Sequence, residues 1–240
     1  MERKELVYEG KAKKLYKTDT EGVLLAEYLD QATALNGARK DLIEGKGTLN
    51  NQITSFIFTK LKEKGIPSHF IEKTSKTEQL IKEVAIIPLE VVVRNIAAGS
   101  FSKRLKIPEG TPLSFPIVEF YFKNDALDDP FINDDHVLVL NLAEEKEIVE
   151  IKSLARKVNQ VLLEIFAEID IQLIDFKIEI GKTVEGELLL ADEISPDTCR
   201  LWDKNTHEHL DKDVYRRNLG QLTPVYEKVL ARLENTRKER

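Results

Sequence analysis

The chain has 240 residues, of which 42% are hydrophobic and 32% charged, and its formal net charge is −6. This composition is typical of a globular protein rich in charge, and the length allows one large domain or two small, closely packed ones. The negative charge argues against generic binding to nucleic acid, and no stretch of about 18 uncharged apolar residues predicts a membrane helix. The one cysteine, Cys199, excludes an internal disulfide and fits a reducing compartment, so we expect a cytoplasmic protein.

The N-terminal third is predicted to be rich in strands. Apolar residues at helical spacing predict a helix over Thr48–Lys64, which Gly65 and Pro67 then end. Residues 69–96 return to strand character. Alternation and turn residues predict the first strands at Glu5–Glu9, Lys14–Thr18 and Val23–Leu29.

The remaining residues mix strands and helices without regular alternation, which indicates the α+β class. A short strand is predicted at Ile117–Phe122, a long amphipathic helix at 145–168, and two short helices near 211–218 and 223–234. We expect a strand-rich nucleotide-binding lobe, residues 1–85, packed closely on a larger mixed part, residues 86–240. Clefts between such parts are common ligand sites.

The segment YEGKAKKLY, residues 8–16, places Gly10, Lys11 and Lys13 in the connection between the first two strands. A glycine-bearing turn with lysines can hold phosphates through backbone N–H groups and positive charge. The segment is not a Walker loop, which requires a different glycine spacing and a helix that follows at once. A phosphate-binding turn and an ordinary basic hairpin turn therefore both remain open.

Two charged residues, Glu90 and Arg94, interrupt the otherwise apolar strand in IIPLEVVVRNIAAGS, residues 86–100. A buried guanidinium requires an anionic partner, and its fork fits a carboxylate or a phosphate. Ser100 is predicted to begin a short helix, Phe101–Leu105, whose N-terminal N–H groups favour phosphate. The alternative is an internal Glu90–Arg94 ion pair with Ser100 as a plain helix cap.

The segment LIDFKIEIGKTVEGELLLADE, residues 173–193, predicts a β-hairpin with alternating charged and apolar residues. Because alternate side chains of a strand lie on one face, Asp175, Lys177 and Glu179 share a face. Asp192 on the second arm is predicted to face Glu179, and facing carboxylates repel each other unless a cation lies between them. Either Mg²⁺ occupies this place, or the hairpin simply has a charged outer face.

The loop FKNDALDDPF, residues 122–131, contains Lys123, Asp125, Asp128 and Asp129. Acidic loops are commonly only solvated, so this loop alone indicates little. Together with the lysine-bearing turn, Arg94 and the acidic hairpin, it would complete the parts that ATP chemistry requires. These parts are metal ligands, phosphate-facing cations and a site for an anionic substrate.

Six segments resemble, in the same order, the phosphoribosylaminoimidazole-succinocarboxamide synthase (SAICAR synthetase) family. They are YEGKAKKLY, IIPLEVVVRNIAAGS, FKNDALDDP, LIDFKIEIG, ADEISPDTCRLWD and LDKDVYRRNLG, and they span nearly the whole chain. The resemblance implies a purine-biosynthesis ligase, a homodimer, with a nucleotide-binding lobe similar to those of kinases and ATP-grasp enzymes. It also implies that ATP cleavage drives the carboxylate of a carboxylated aminoimidazole ribotide onto the amine of L-aspartate, through an acyl phosphate.

The resemblance also implies roles for individual residues. The ATP phosphates would contact Lys11, Ala12 and Lys13, the adenine would border Ile86, and Glu90 would lie near the nucleoside. Mg²⁺ would be held by Glu179 and Asp192. The ribotide would contact Arg94, Ser100 and Arg200, and the reacting groups would be lined by Lys123, Asp129, Asp175 and Lys177, with Lys212 and Arg216 closing the site.

One departure from the family's pattern is Ile180, which stands where phenylalanine is familiar. This side chain should point away from the charged face, so we expect a change in packing only. Two alternatives to a ligase remain: a kinase-like phosphotransferase acting on a small hydroxyl compound, and a nucleotide-binding module without catalysis. The H-R-D and D-F-G segments of protein kinases are absent, and retention of Lys177 with both metal carboxylates argues against a mere binding module.

Overall fold

The chain adopts an α+β fold, and the computed structural model describes residues 1–34 and 39–238. The strands, in chain order, are β1 (Leu6–Glu9), β2 (Lys13–Lys17), β3 (Val23–Tyr28), β4 (Gln31–Ala34), β5 (Arg39–Leu42), β6 (Phe70–Lys73), β7 (Glu78–Lys82), β8 (Ala85–Ile86), β9 (Leu89–Ile96), β10 (Pro112–Phe122), β11 (Phe131–Ile132), β12 (Ile171–Lys182), β13 (Leu188–Ala191) and β14 (Cys199–Asp203). The helices are α1 (Lys46–Glu63), α2 (Gly99–Leu105), α3 (Asp134–Val139), α4 (Glu145–Ala167), α5 (Asp213–Arg216) and α6 (Leu222–Lys238). These bounds confirm the α+β class and place the predicted strands and long helices within a few residues.

Two antiparallel sheets organise the molecule. The first has the strand order β1-β2-β3-β7-β6. The second runs β11-β10-β9-β12-β13, and β8 and β14 also pair with β12, so this long strand lies at the centre of the sheet. A separate two-stranded sheet joins β4 to β5. Because β12 pairs with β8, β9, β13 and β14, side chains on one face of β12 lie beside side chains from several other strands.

A continuous apolar core joins α1 and α4 to the second sheet. The helix α4 starts with a capping box, in which the Glu144 N–H donates to the Glu147 carboxylate at 2.8 Å, and its apolar stripe faces the core. Ile180 is 1% exposed and belongs to this core, which confirms that it lies away from the charged face of β12. The core includes residues from both sides of residue 85, and the division into two parts there stays a prediction.

None of the helices in residues 1–34 and 39–238 has both the length and the apolar character that a membrane crossing requires.

Candidate active site

Arginines and carboxylates alternate across four strands and the start of α5. The Arg94 Nε donates to Glu119 Oε2 at 2.7 Å, and its Nη1 donates to Asp175 Oδ2 at 2.8 Å. Only 2% of Arg94 is exposed, so strands β10 and β12, on either side of β9, supply the two anions that a buried guanidinium requires. We call this set the arginine network; its members are Arg94, Glu119, Asp175, Arg200 and Asp213.

Arg200 extends the network from β14. Its Nη1 donates to Asp175 Oδ2 at 2.9 Å and its Nε to Asp213 Oδ2 at 3.0 Å. Gly99, at φ +53°, makes room for this guanidinium, because a Cβ there would lie 2.6 Å from the Arg200 Nη2. Burial alone would raise the pKa of Asp213, but Arg200 and Arg216 hold it at about 2.

The internal Glu90–Arg94 ion pair considered above is wrong. Arg94 pairs with Glu119 and Asp175 on neighbouring strands, whereas the Glu90 carboxylate accepts a hydrogen bond from Lys177 at 2.9 Å. Residues four positions apart on a strand are separated by about 13 Å, whereas Glu119 and Asp175 on the neighbouring strands lie much nearer to Arg94.

Ser100 does not cap a helix. The helix α2 begins at Gly99 with the extended Ala98 before it, so Ser100 lies in the first turn. Its hydroxyl instead accepts a hydrogen bond from the Arg94 Nη2 at 3.1 Å and lies 3.3 Å from the Tyr121 hydroxyl. Ser100 is thereby attached to the edge of the arginine network.

A second charged group lies further along the same face of β12. The Lys177 Nζ lies 2.9 Å from Glu90 Oε1 and 3.5 Å from Glu179 Oε1, and the Lys123 Nζ lies 2.6 Å from Glu179 Oε2. Asp175, Lys177 and Glu179 thus share one face, as the alternation predicts. We call the second group the lysine cluster; its members are Lys13, Lys123, Lys177, Glu90, Glu179 and Asp192.

The predicted direct facing of Glu179 and Asp192 is wrong by one residue. In the β12–β13 ladder Glu179 lies opposite Ala191, and Asp192 follows the end of β13 in a left-handed conformation, φ +62°. This turn carries the Asp192 carboxylate to Lys13, with which it forms an ion pair, and Lys13 also lies 3.7 Å from Glu193. The turn that contains Gly10, Lys11 and Lys13 (the glycine-lysine turn) and the hairpin of β12 and β13 (the acidic hairpin) are therefore brought together.

His69 supports the backbone of Asp192. The segment before β6 runs beside β13, where the His69 N–H donates to the Leu190 carbonyl at 2.8 Å. The His69 Nε2 lies 3.2 Å from the Asp192 carbonyl oxygen, and burial, followed by the charge of Lys13, lowers the pKa of His69 to about 4. A neutral ring with its proton on Nε2 donates to that carbonyl and holds the turn that carries Asp192.

Mutual charge pairing shifts the ionisation of the lysine cluster. Burial alone would lower the pKa of Lys177, but Glu179 and Glu90 outweigh it and raise that pKa. Burial alone would likewise raise the pKa of Asp192, and Lys13 and Lys177 instead lower it. At neutral pH Lys177 is therefore an ammonium group and Asp192 a carboxylate, each held by neighbours of opposite charge.

The glycine-lysine turn reaches the acidic loop as well. The Gly10 N–H donates to the Lys13 carbonyl at 2.8 Å, which closes the turn between β1 and β2. The Lys11 Nζ lies 2.7 Å from Asp125 Oδ1, in an ion pair whose two side chains are exposed. The carbonyl of Ala12 accepts a hydrogen bond from the residue after β3.

Two other predicted site residues lie at the margin. Ile86 pairs with Gly181 in the β8–β12 ladder and is 40% exposed, which leaves an apolar surface beside the lysine cluster. The Asp129 Oδ1 accepts a hydrogen bond from the Asn124 N–H at 2.7 Å, so its carboxylate holds the loop that follows β10.

Lys212 and Arg216 lie on the α5 side of the site. The Arg216 Nη1 donates to Asp213 Oδ1 at 2.8 Å, which joins Arg216 to the arginine network. The Lys212 Nζ lies 3.7 Å from Asp197 Oδ2. The structure thus joins Arg216 to the arginine network and places Lys212 beside Asp197.

Several polar and charged residues in or beside the site are absent from the predicted set. Glu119 and Tyr121 gave a weak signal, since a carboxylate in an otherwise apolar strand must find a partner when it is buried. Asp197 stood out only as one of several charged residues in the turn-rich segment after the hairpin. Lys46 and Asp213 gave no signal, because charged residues in turns and helix starts are usually solvated.

Two groups of residues contain carboxylates that are candidate metal ligands. The ligand atoms of His209, Asp211 and Asp213 lie within 4.8 Å of one another, but Asp213 is already paired with Arg200 and Arg216, whose charges oppose a cation. Glu179 and Asp192 offer buried or half-buried carboxylate oxygens, the donors that Mg²⁺ prefers. Their partners are lysines with flexible stems, which can turn to another anion when a metal takes the carboxylates.

The lysines and carboxylates gathered beside the glycine-lysine turn are the phosphate-facing cations and candidate metal ligands that enzymes of phosphoryl transfer use. The family model of SAICAR synthetase matches residues 6–233, and the chain belongs to that family.

Named relatives and solved structures agree with this membership. The chain is 67% identical to the phosphoribosylaminoimidazole-succinocarboxamide synthase of Enterococcus faecalis, over 97% of this chain and 98% of the relative. The crystal structure of that synthase from Ehrlichia chaffeensis is 47% identical, with a TM-score of 0.94 over 96% of this chain and 98% of the other. A SAICAR synthetase in complex with ADP is also 47% identical, with a TM-score of 0.92 over 95% and 97%. The chain is accordingly an ATP-dependent ligase of purine biosynthesis.

Proposed function

We propose that the enzyme joins the carboxylate of 5-amino-1-(5-phospho-ribosyl)imidazole-4-carboxylate to the amine of L-aspartate and releases SAICAR, ADP and phosphate. A carboxylate has no leaving group for an attacking amine, and transfer of the γ-phosphoryl group to it forms an acyl phosphate that supplies one. The enzyme then has to position three anionic molecules and offset their charge.

One observation carries this proposal: the arginine network and the lysine cluster lie side by side on the same face of β12. Asp175, which bridges Arg94 and Arg200 in the network, and Lys177, in the cluster, are two residues apart, a separation of roughly 7 Å along a strand. An acid bound by the arginines would thus reach a phosphate bound by the lysines.

The nucleotide side of the site is formed by residues from both parts of the chain. Lys11, Ala12 and Lys13 hold the phosphates of ATP, Ile86 borders the adenine and Glu90 lies near the nucleoside. The ion pair between Lys13 and Asp192, which joins residues 1–85 to residues 86–240, supports this arrangement. The relative solved with ADP is in keeping with it.

Glu179 and Asp192 hold Mg²⁺ in this proposal. The bound ion would offset the negative charge of the phosphate oxygens. Lys123 and Lys177, released from their carboxylate partners, then turn to the substrate carboxylate and its developing charge. Lys177 is the residue that orients this carboxylate, and Asp175 keeps Arg94 and Arg200 in place beside it.

The ribotide is bound by the arginine side of the site. Arg94, Ser100 and Arg200 contact its phosphate and other charged groups, and Asp129 lines the reacting end. Lys212 and Arg216 close over the bound molecule. We further propose a homodimer that works in the cytoplasm.

A coupled assay of ADP release, with each of the three substrates omitted in turn, tests the proposal. We expect release only when ribotide, aspartate and ATP are all present with Mg²⁺. Release that continues without aspartate would support the phosphotransferase considered above. Binding of ADP with no turnover of the complete mixture would support a module without catalysis.

A further inference from the structure

Lys46, in the first turn of α1, is an almost fully buried lysine, at 1% exposure. Lysine is almost never fully buried unless it is paired. The Lys46 Nζ lies 2.6 Å from Asp197 Oδ2, and this carboxylate lies in the turn between β13 and β14. A buried pair of this kind is a weak source of stability, which points to a role beyond holding the fold together.

The start of α1 fixes Lys46 firmly. The Asp30 carboxylate accepts hydrogen bonds from the N–H groups of Gly45 and Gly47, at 3.1 and 2.8 Å. A Cβ on Gly47 would lie 2.6 Å from the Tyr28 carbonyl oxygen, so the first turn packs directly on the end of β3. Lys46 therefore presents its ammonium to Asp197 from a rigid base.

Asp197 is shared by several donors. Its Oδ1 accepts a hydrogen bond from the Tyr226 hydroxyl at 2.5 Å, and its Oδ2 lies between Lys46 and the more distant Lys212. Burial alone would raise the pKa of Asp197, and the two lysines lower it instead. The contact with Lys212 is 3.7 Å, too long for a hydrogen bond, and 12% of the Lys212 side chain is exposed.

We propose that Lys46 is a positioning residue for Lys212, acting through Asp197. Lys46 and Tyr226 satisfy the Asp197 carboxylate, so Asp197 guides the Lys212 ammonium without binding it closely. The ammonium is then left to donate to an anionic group of the ribotide. This inference rests on the proposed role of Lys212 in ribotide binding.

The geometry predicts what removal of Lys46 does. Without Lys46, Lys212 becomes the cation nearest to Asp197 and is drawn into a direct hydrogen bond with it. The ammonium is then withdrawn from the substrate. We expect Lys46→Met to raise the ribotide KM about tenfold, the effect of one lost charge-assisted hydrogen bond, and to leave the ATP KM unchanged.

The pH profile provides a readout that a merely structural role would not move. Burial lowers the pKa of Lys212, Asp197 and Glu193 raise it, and Lys46 and Arg216 lower it. Protonated Lys212 binds the anion, so activity that depends on it is lost as the pH rises through this pKa. Lys46→Met should therefore extend the alkaline limb of kcat/KM to higher pH.

A double-mutant cycle with Lys212→Met tests whether Lys46 acts through Lys212. We expect Lys212→Met alone to raise the ribotide KM, and Lys46→Met to add nothing in that background. Lys60→Met is the matched control, since Lys60 lies on the same helix and pairs with Glu63 at the surface. It should show wild-type kinetics.

A second variant keeps the proposal testable should Lys46→Met fail to fold. Lys46→Met/Asp197→Asn removes both charges, so no buried charge is left without a partner. Asp197 raises the pKa of Lys212 more than Lys46 lowers it, so in this variant the alkaline limb should shift to lower pH, opposite to its shift in Lys46→Met. A shift to higher pH would overturn the inference.

The outcomes separate the inference from the function on which it rests. A normal ribotide KM in Lys212→Met would overturn the role of Lys212 itself, and the inference with it. An impaired Lys212→Met beside a folded Lys46→Met with wild-type KM and pH profile would overturn the inference alone. Equal losses from Lys46→Met with and without Lys212 would also overturn it.

Discussion

The arginine network and the lysine cluster occupy the same face of β12, yet they hold their charges in different ways. In the network, each guanidinium is fixed by two carboxylates from facing strands or from α5, and Arg94 is 2% exposed. In the cluster, single-point ammonium groups meet carboxylates that are themselves the proposed metal ligands.

The difference indicates which partners are permanent. A guanidinium held by two carboxylates is already oriented before a ligand arrives, so it binds the ligand without reorganisation. A lysine on a flexible stem can exchange one anion for another at little cost. We therefore expect the network to act as a rigid platform for the ribotide, and the cluster to rearrange when Mg²⁺ and ATP bind.

The largest effect is expected from Arg94→Lys, which replaces a planar guanidinium with a single ammonium group. The lysine cannot hold Glu119 and Asp175 together, so we expect a loss of about 3 kcal/mol in the free energy of unfolding. The ribotide KM should rise by about a hundredfold or more, as measured by steady-state kinetics beside urea unfolding. Arg104→Lys, a partly exposed neighbour that also pairs with Glu119, is the control and should lose less. An unaltered ribotide KM would reject the platform role.

The next effect is expected from Asp192→Asn, which removes a proposed metal ligand from the cluster. An amide is a weaker ligand than a carboxylate, so the Mg²⁺ concentration needed for half-maximal ADP binding should rise about tenfold or more. Calorimetric titration of ADP at several Mg²⁺ concentrations measures this shift. Asp134→Asn, which removes a carboxylate paired with Lys152 at the surface, should leave the titration unchanged. An unchanged titration in Asp192→Asn would show that the lysine partners of this acid do not yield to a metal.

An effect of another kind, on stability in acid, is expected at His69, which contacts the backbone of Asp192 in the lysine cluster. Because the pKa of His69 is about 4 in the fold, the unfolded chain binds a proton between that value and about 6.5 that the folded chain does not. Stability from this source is complete above pH 6.5 and falls as the pH drops toward 4, by about 2–3 kcal/mol at pH 4.5. His69→Phe should remove this part of the pH dependence in urea unfolding, and His207→Asn, at an exposed histidine, should keep it. Identical slopes in wild type and His69→Phe would contradict the buried, neutral ring.

The smallest effect is expected from Lys11→Met at the exposed end of the cluster. Its ion pair with Asp125 is solvated, so the free energy of unfolding should change by less than about 0.5 kcal/mol. The ATP KM should rise only a few-fold, because Lys13 still faces the phosphates. Lys17→Met, which breaks an exposed pair with Glu5 in the same sheet, should not change the ATP KM. A larger loss at Lys11 than at Asp192 would invert the proposed order within the cluster.

The periodicity of apolar and charged residues was enough to predict the main helices and the charged face of β12. The two-residue alternation placed Asp175, Lys177 and Glu179 on one face, and helical spacing located α1 and α4. These patterns are set by the backbone geometry of one element, so they are visible in a short window of sequence.

Partnerships across elements were harder to predict. Arg94 finds its anions on β10 and β12, and the alignment of those strands is not encoded beside Arg94. The same holds for Lys46, whose partner Asp197 lies far along the chain. A one-residue shift in the hairpin also decided that Glu179 faces Ala191, a detail that the turn between the arms sets.

Cys199 pairs with Phe176 across the β12–β14 ladder, directly before Arg200, and is 4% exposed. Burial raises the pKa of its thiol, so alkylating reagents meet almost no thiolate until the ladder parts. The rate of thiol alkylation therefore reports how often β14, which carries Arg200, separates from β12. The rate at which iodoacetamide labels this thiol should slow when a molecule bridges the two strands, which allows occupancy to be followed without any turnover.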